Sequence, residues 1–223
     1  YFEGYPFSFE IAKADAADSI VVRNLNTSDE ILPFVVVSAA SQRVYIDKSE
    51  GLDWTSASYL PLTDTKNRLE IEVNSIVRTN LVVKKRPTDC GGVYIKWFNA
   101  DGGYSYWLFD EFWKENIGGS DEGFINSNSF ENVGSQVSKN QSIGRSASKS
   151  LQVKSKQLDT NETKHLESLM LSPAVQMWSF TEPYQDGKFI DVTISGSLNF
   201  STKKQLNEVS LTIILPELQT PML

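Results

Sequence analysis

Apolar and polar residues alternate over several short stretches of this chain, and a period of two predicts β-strands. Leu69, Ile71 and Val73 alternate with Glu70, Glu72 and Asn74, which puts the apolar side chains on one face of a half-buried strand. Ile190, Val192 and Ile194 line one face of a strand over 189–195. Val209, Leu211, Ile213 and Leu215 do the same over 208–215, and a further strand covers 174–180. Shorter β-prone runs at 19–23, 31–37 and 43–47 predict strands nearer the start. The first stops at the turn-prone Asn24-Leu25-Asn26, and Pro33 marks the second as an edge or entry position. Residues 48–67, rich in Ser, Thr, Asp and Gly with Pro61, read as loop.

The strongest local signal lies at the centre. Runs at 93–98 and 104–109 flank Asn99-Ala100-Asp101-Gly102-Gly103, and Asp and Gly supply the dihedrals a hairpin loop needs. Val93, Ile95 and Trp97 share one face of the first strand, opposite Tyr94, Lys96 and Phe98. Tyr104, Tyr106 and Leu108 oppose Ser105, Trp107 and Phe109 on the second. Both faces are mostly apolar or aromatic, so the hairpin is expected to pack on both sides.

One helix is predicted. Asp159-Thr160-Asn161-Glu162 has the form of a capping box, Leu166, Leu169 and Met170 follow at helical spacing, and Ser172-Pro173 closes the run. Strands and helices do not alternate, so a parallel α/β fold is not expected. Residues 111–156 differ in character, being dense in Ser, Asn, Gly and Gln. They read as an extended arm, or a polar hairpin, ordered mainly by a partner. Its sparse apolar anchors are Phe124, Ile125, Phe130, Val133, Val137 and Ile143, and weak alternation at Leu151 and Val153 suggests a strand entering its far end.

The expected fold is therefore mainly β with one helix, its antiparallel sheets forming a β-sandwich or barrel-like body with an extended polar arm. The expected division is a strand-rich region over 1–68, a main β domain over 69–110 and 157–216, the arm over 111–156 and a tail over 217–223.

Composition narrows the chemistry. The chain has 223 residues, of which 40% are hydrophobic, enough to bury a core. No apolar run is long enough to span a bilayer as a helix, so no membrane insertion is expected. No signal peptide is visible, although the sequence starts at Tyr1 rather than Met. The formal net charge of -7 argues against broad binding to nucleic acid. Cys90 is the single cysteine, so no internal disulfide forms, which fits a reducing compartment.

No catalytic or metal residue is assigned and no cofactor is expected. His165 is the single histidine, which excludes a two-histidine metal site, and it reads as a partly exposed helix residue. Cys90 sits in Thr88-Asp89-Cys90-Gly91-Gly92, which reads as a turn before a strand. Gly91-Gly92 and Gly102-Gly103 lack the residues of a phosphate loop, and Gly196-Ser197 lacks a nucleophile elbow. Asp110, Glu111 and Glu115 stand near Trp107, Phe112 and Trp113, and an acid in an aromatic pocket can serve as a general acid. Solvated acids at a strand end look the same in sequence. The aromatic cluster Tyr94, Trp97, Tyr104, Tyr106, Trp107 and Trp113 suits either packing or stacking on sugar rings, with packing the commoner use. With Phe124 and Phe130 these are the interface or binding candidates.

The stretch Cys90-Gly91-Gly92-Val93-Tyr94-Ile95-Lys96-Trp97-Phe98-Asn99-Ala100-Asp101-Gly102-Gly103-Tyr104-Ser105-Tyr106-Trp107-Leu108-Phe109 resembles a segment of structural proteins of phages and prophages of Bacteroidota. In that family the pattern is a Lys-Trp, Leu or Phe, Asn, two residues, Gly, then an aromatic strand. A second resembling block is the helix ending over 166–175, followed by strands over 189–194 and 209–216, and the order of elements is similar over about 69–216. The resemblance implies a virion component of a tail, baseplate or neck, assembled in the host cytoplasm and acting without catalysis. Its partners would be further copies of itself and other virion proteins. A carbohydrate-binding module for host-surface glycan is the second reading.

Overall fold

The computed structural model describes residues 1–12, 18–28, 30–31, 41–46, 60, 62, 65–88, 92–110, 112–127, 139–179, 187–197 and 207–219. Among these the chain is mostly strand, with one helix and four antiparallel sheets. None of the four closes into a barrel, so the body is sandwich-like rather than barrel-like.

Two sheets lie in the first part of the chain. β1 (Phe7–Ala12) pairs with β4 (Ser41–Ile46). The second sheet runs β3 (Glu30–Ile31), β2 (Ile20–Asn24), β5 (Lys66–Val73), β6 (Ile76–Lys84). β5 and β6 turn at Asn74 and Ser75, both with positive φ, as a tight two-residue hairpin requires. Together the two sheets enclose a small core of Ile20, Val22, Val44, Ile46, Leu60, Leu62, Leu69 and Ile71. Leu69 and Ile71 belong to this first core, so the division expected after residue 68 differs from the structure, in which it would cut through β5. Of the predicted run 31–37, only Ile31 is described.

The larger core joins the other two sheets to the helix. One sheet runs β12 (Lys188–Asp191), β11 (Val175–Ser179), β7 (Val93–Phe98), β8 (Tyr104–Phe109). The other runs β13 (Thr193–Ser197), β14 (Asn207–Ile214), β10 (Lys139–Leu158), β9 (Phe112–Ser127), with β15 (Leu218–Gln219) also on β10. The strand predicted over 189–195 is two strands in two sheets. The chain changes sheet at Val192, whose N–H donates to the carbonyl of Val175 at 3.0 Å. Ile190, Val192 and Ile194 still pack on one core because both sheets face it.

α1 (Thr160–Met170) starts where its capping box predicts. The Asp159 carboxylate accepts from the N–H groups of Asn161 and Glu162 at 2.7 and 2.8 Å, and Glu162 accepts from the N–H of Asp159 at 3.0 Å. Thr163, Leu166 and Leu169 are its buried side.

The arm expected over 111–156 is a two-stranded ribbon, β9 against β10, as the hairpin alternative has it. Its second strand is no appendage, however. Leu151 and Val153 are buried in the main core, and from Ser150 to Lys154 β10 has β14 on one side and β9 on the other. The body therefore claims β10 well before residue 157, and the projecting part is the far end of the ribbon. Phe130, Val133 and Val137 lie outside the described residues, as do Cys90 and Glu111.

Candidate functional site

The hairpin that carries most of the aromatic candidates closes through one side chain. Asn99 Oδ1 accepts from the N–H groups of Asp101 and Gly103 at 3.1 and 3.0 Å, and Asn99 Nδ2 donates to Ser105 Oγ at 3.0 Å. Gly102 has φ +84, a backbone state that favours glycine. Phe98 then pairs with Tyr104 and Val93 with Phe109. Gly92 precedes the first strand for a steric reason: a Cβ there would stand 2.6 Å from the carbonyl oxygen of Phe109.

Both faces of this hairpin are covered, as its two-sided hydrophobicity predicts. On one face the helix lies over Trp97. Trp97 Nε1 donates to Ser168 Oγ at 2.9 Å, and the ring centroid of His165 lies 5.0 Å from that of Trp97 and 6.3 Å from that of Trp107. On the other face the start of the chain folds over the tyrosines. Tyr5 stacks at a tilt on Tyr94 with centroids 4.7 Å apart, and Phe7 meets Tyr106 at 5.3 Å. Tyr94 Oη donates to the carbonyl of Pro6 at 2.7 Å, and Tyr106 Oη shares a 2.7 Å hydrogen bond with Ser8 Oγ. Lys96 is buried on this face with its Nζ 3.9 Å from the Phe189 ring centroid, a cation–π arrangement.

Tyr94, Trp97, Tyr106 and Trp107 are thus buried side chains of the chain's own core. Tyr104, half-buried, has the Arg43 guanidinium 4.7 Å over its ring. These rings offer no row of open faces on which a sugar would stack. Of the described acids near them, Asp110 is exposed and Glu115 pairs with Lys149 at 2.8 Å, so neither sits in an aromatic pocket. Among the described residues no cluster of His, Cys, Asp and Glu has the makings of a metal site.

His165 is held neutral by burial, which lowers its pKa below 6.5, while its contact with the Tyr106 carbonyl at 3.4 Å opposes the shift. A depressed histidine stabilises the fold above its unfolded pKa, and that contribution is lost as pH falls from about 6.5 towards the folded value. Unfolding titrations in urea are expected to show stability declining over this window. In His165→Gln that part of the decline should vanish, and an unchanged profile would contradict it.

The remaining candidates stand apart from the core. Trp113 is 52% exposed and Phe124 58% exposed, both on β9. The register explains Trp113. It lies directly opposite Val153, and Glu115 opposite Leu151, so β9 continues the face that β10 buries. Ile117 lies on the same face and is 65% exposed. Ile125 and Ile143 are exposed further out on the ribbon. β9 has β10 on one side and no strand on the other among the described residues.

A second edge, β6, was not foreseen. Ile76, Val77, Leu81 and Val82 are exposed along it, and among the described residues it has a strand, β5, on one side only. Its sequence lacks a clean period of two, which hides it from pattern reading. No helix among the described residues is long and apolar enough to cross a membrane.

Compared with known proteins, the chain matches no family model, no curated protein and no solved structure.

Proposed function

We propose that this chain is a non-catalytic structural subunit of a larger assembly, acting through contacts with neighbouring subunits. The observation that carries this reading is how the apolar side chains are distributed. Nearly all the hairpin aromatics are consumed by the fold, while the long β9–β10 ribbon leaves Trp113, Ile117, Phe124, Ile125 and Ile143 uncovered. Exposed apolar residues along an unpaired edge strand are a liability in a monomer and a docking surface in an assembly.

The finer reading is a subunit of a phage tail, baseplate or neck, with further copies and other virion proteins as partners. It rests on the resemblance of the hairpin segment over 90–109, and the uncovered ribbon is consistent with it. A glycan-binding role has less support, because stacking needs open ring faces and most of the candidate rings are buried. Quantitative proteomics of purified tailed particles tests the reading: the chain is expected as an integral component, and its absence from intact particles would refute it.

A further inference from the structure

The outer edge of β9 is the longest unpaired strand edge among the described residues. β9 spans Phe112–Ser127, and the full run bonds to β10 on its inner side. Its regular part ends at Asp121. Beyond it the pairing shifts, since Asp121 faces Arg145 but Gly123 faces Gly144, leaving Glu122 as an extra residue in a bulge.

We infer that β9 pairs with β9 of a second copy of this chain, antiparallel, about a two-fold axis at Gly118, joining the two sheets edge to edge. The sequence of the strand selects both the partner and the register. With the axis at Gly118, the regular run 115–121 of each copy pairs with that of the other, and Lys114 at its end lies across from the bulge residue Glu122 of the second copy, twice. Asn116 stands opposite Ser120, and Ile117 opposite Gly119. Glu115 stands opposite Asp121, and each brings its own cation: Lys149 lies 2.8 Å from Glu115, and Arg145 Nε donates to Asp121 at 2.8 Å. Each of these two like charges is thus paired with a cation of its own copy.

Neighbouring registers lose this match. An axis at Gly119 sets Ile117 against Asp121 and Lys114 against Phe124. An axis at Ile117 sets Trp113 against Asp121 and Phe112 against Glu122. An axis midway between two residues shifts the pairing by a single residue and places the core-side face of one copy against the outer face of the other. The Gly118 register keeps Trp113 and Ile117 of both copies on the common inner face, where Leu151 and Val153 are already buried. The contact is isologous, the commonest kind in homo-oligomers. It stands whether or not the assembly is a virion.

The test uses the full chain and side chains that are exposed, so folding is not at risk. Sedimentation over a concentration series should show a reversible dimer. Lys114→Glu should weaken it by about tenfold or more, and Lys114→Glu combined with Glu122→Lys should restore it. Gly118→Cys, in a Cys90→Ser background, should form a disulfide-linked dimer under mild oxidation. Position 118 accepts a side chain, because a Cβ there meets nothing closer than Ser148 Oγ at 3.4 Å. A wild-type chain that stays monomeric overturns the inference. So does a dimer indifferent to Lys114→Glu, which would lie on another surface, or a failure of the paired reversal to restore it. Loss of the dimer leaves the particle-composition test unaffected, so the two readings fail separately.

Discussion

Trp97→Ala is expected to destabilise the chain by about 3–5 kcal/mol, the range for removing a fully buried large aromatic ring. The ring is 0% exposed, lies on an inner strand of its sheet and meets the helix at His165. Removing it leaves a cavity between sheet and helix and strips Ser168 Oγ of the Nε1–H donor that holds it at 2.9 Å. Trp97→Phe keeps much of the volume and loses the hydrogen bond, so it should cost clearly less than the alanine. Chemical denaturation monitored by far-UV circular dichroism separates the two. A cost below about 1 kcal/mol for the alanine would mean that the helix does not rest on this ring.

The cross-strand pair Val153 and Trp113 is expected to respond in opposite ways to the same new charge. Val153 is fully buried and Trp113 half exposed, although they sit directly opposite each other. Val153→Asp places a carboxylate in the main core without a partner and should cost about 4 kcal/mol or more, a large fraction of an ordinary domain's stability. Trp113→Asp should stay within about 1 kcal/mol of the wild type in stability, since its ring covers no closed core, and should weaken self-association. Equal losses of stability would mean that β9 is as much a part of the core as β10.

Much of this arrangement is legible in the residues, and the parts that are not have physical reasons. The hairpin over 93–109, the capping box at Asp159 and the alternating run ending at Leu215 each carry a local signal that tertiary packing does not override. β1 carries only a weak signal: Phe7-Ser8-Phe9-Glu10-Ile11 alternates, but the run is short and lies near the start of the chain. The place of Phe2 and Tyr5 in the main core has no local signal at all, because it depends on the chain start crossing to the far side of the hairpin. The change of sheet at Val192 is hidden for the opposite reason. Its alternation continues unbroken across the corner, since both sheets face one core.

The aromatic candidates show the same limit. Period and composition place Tyr94, Trp97, Tyr104, Tyr106, Trp107 and Trp113 in one cluster, yet four of them are buried, Tyr104 is half-buried and Trp113 alone is exposed, and only the cross-strand register reveals why. Ile117 was missed because one apolar residue among Asn, Gly and Ser has no pattern of its own.

The claim that this chain works by being built into a larger particle is tested most directly by its copy number in purified tailed particles. Counting by mass spectrometry against isotope-labelled peptides, the account predicts a fixed number of copies per particle, a small multiple that does not change on further purification. A copy number that falls towards zero as the particles are purified would contradict it.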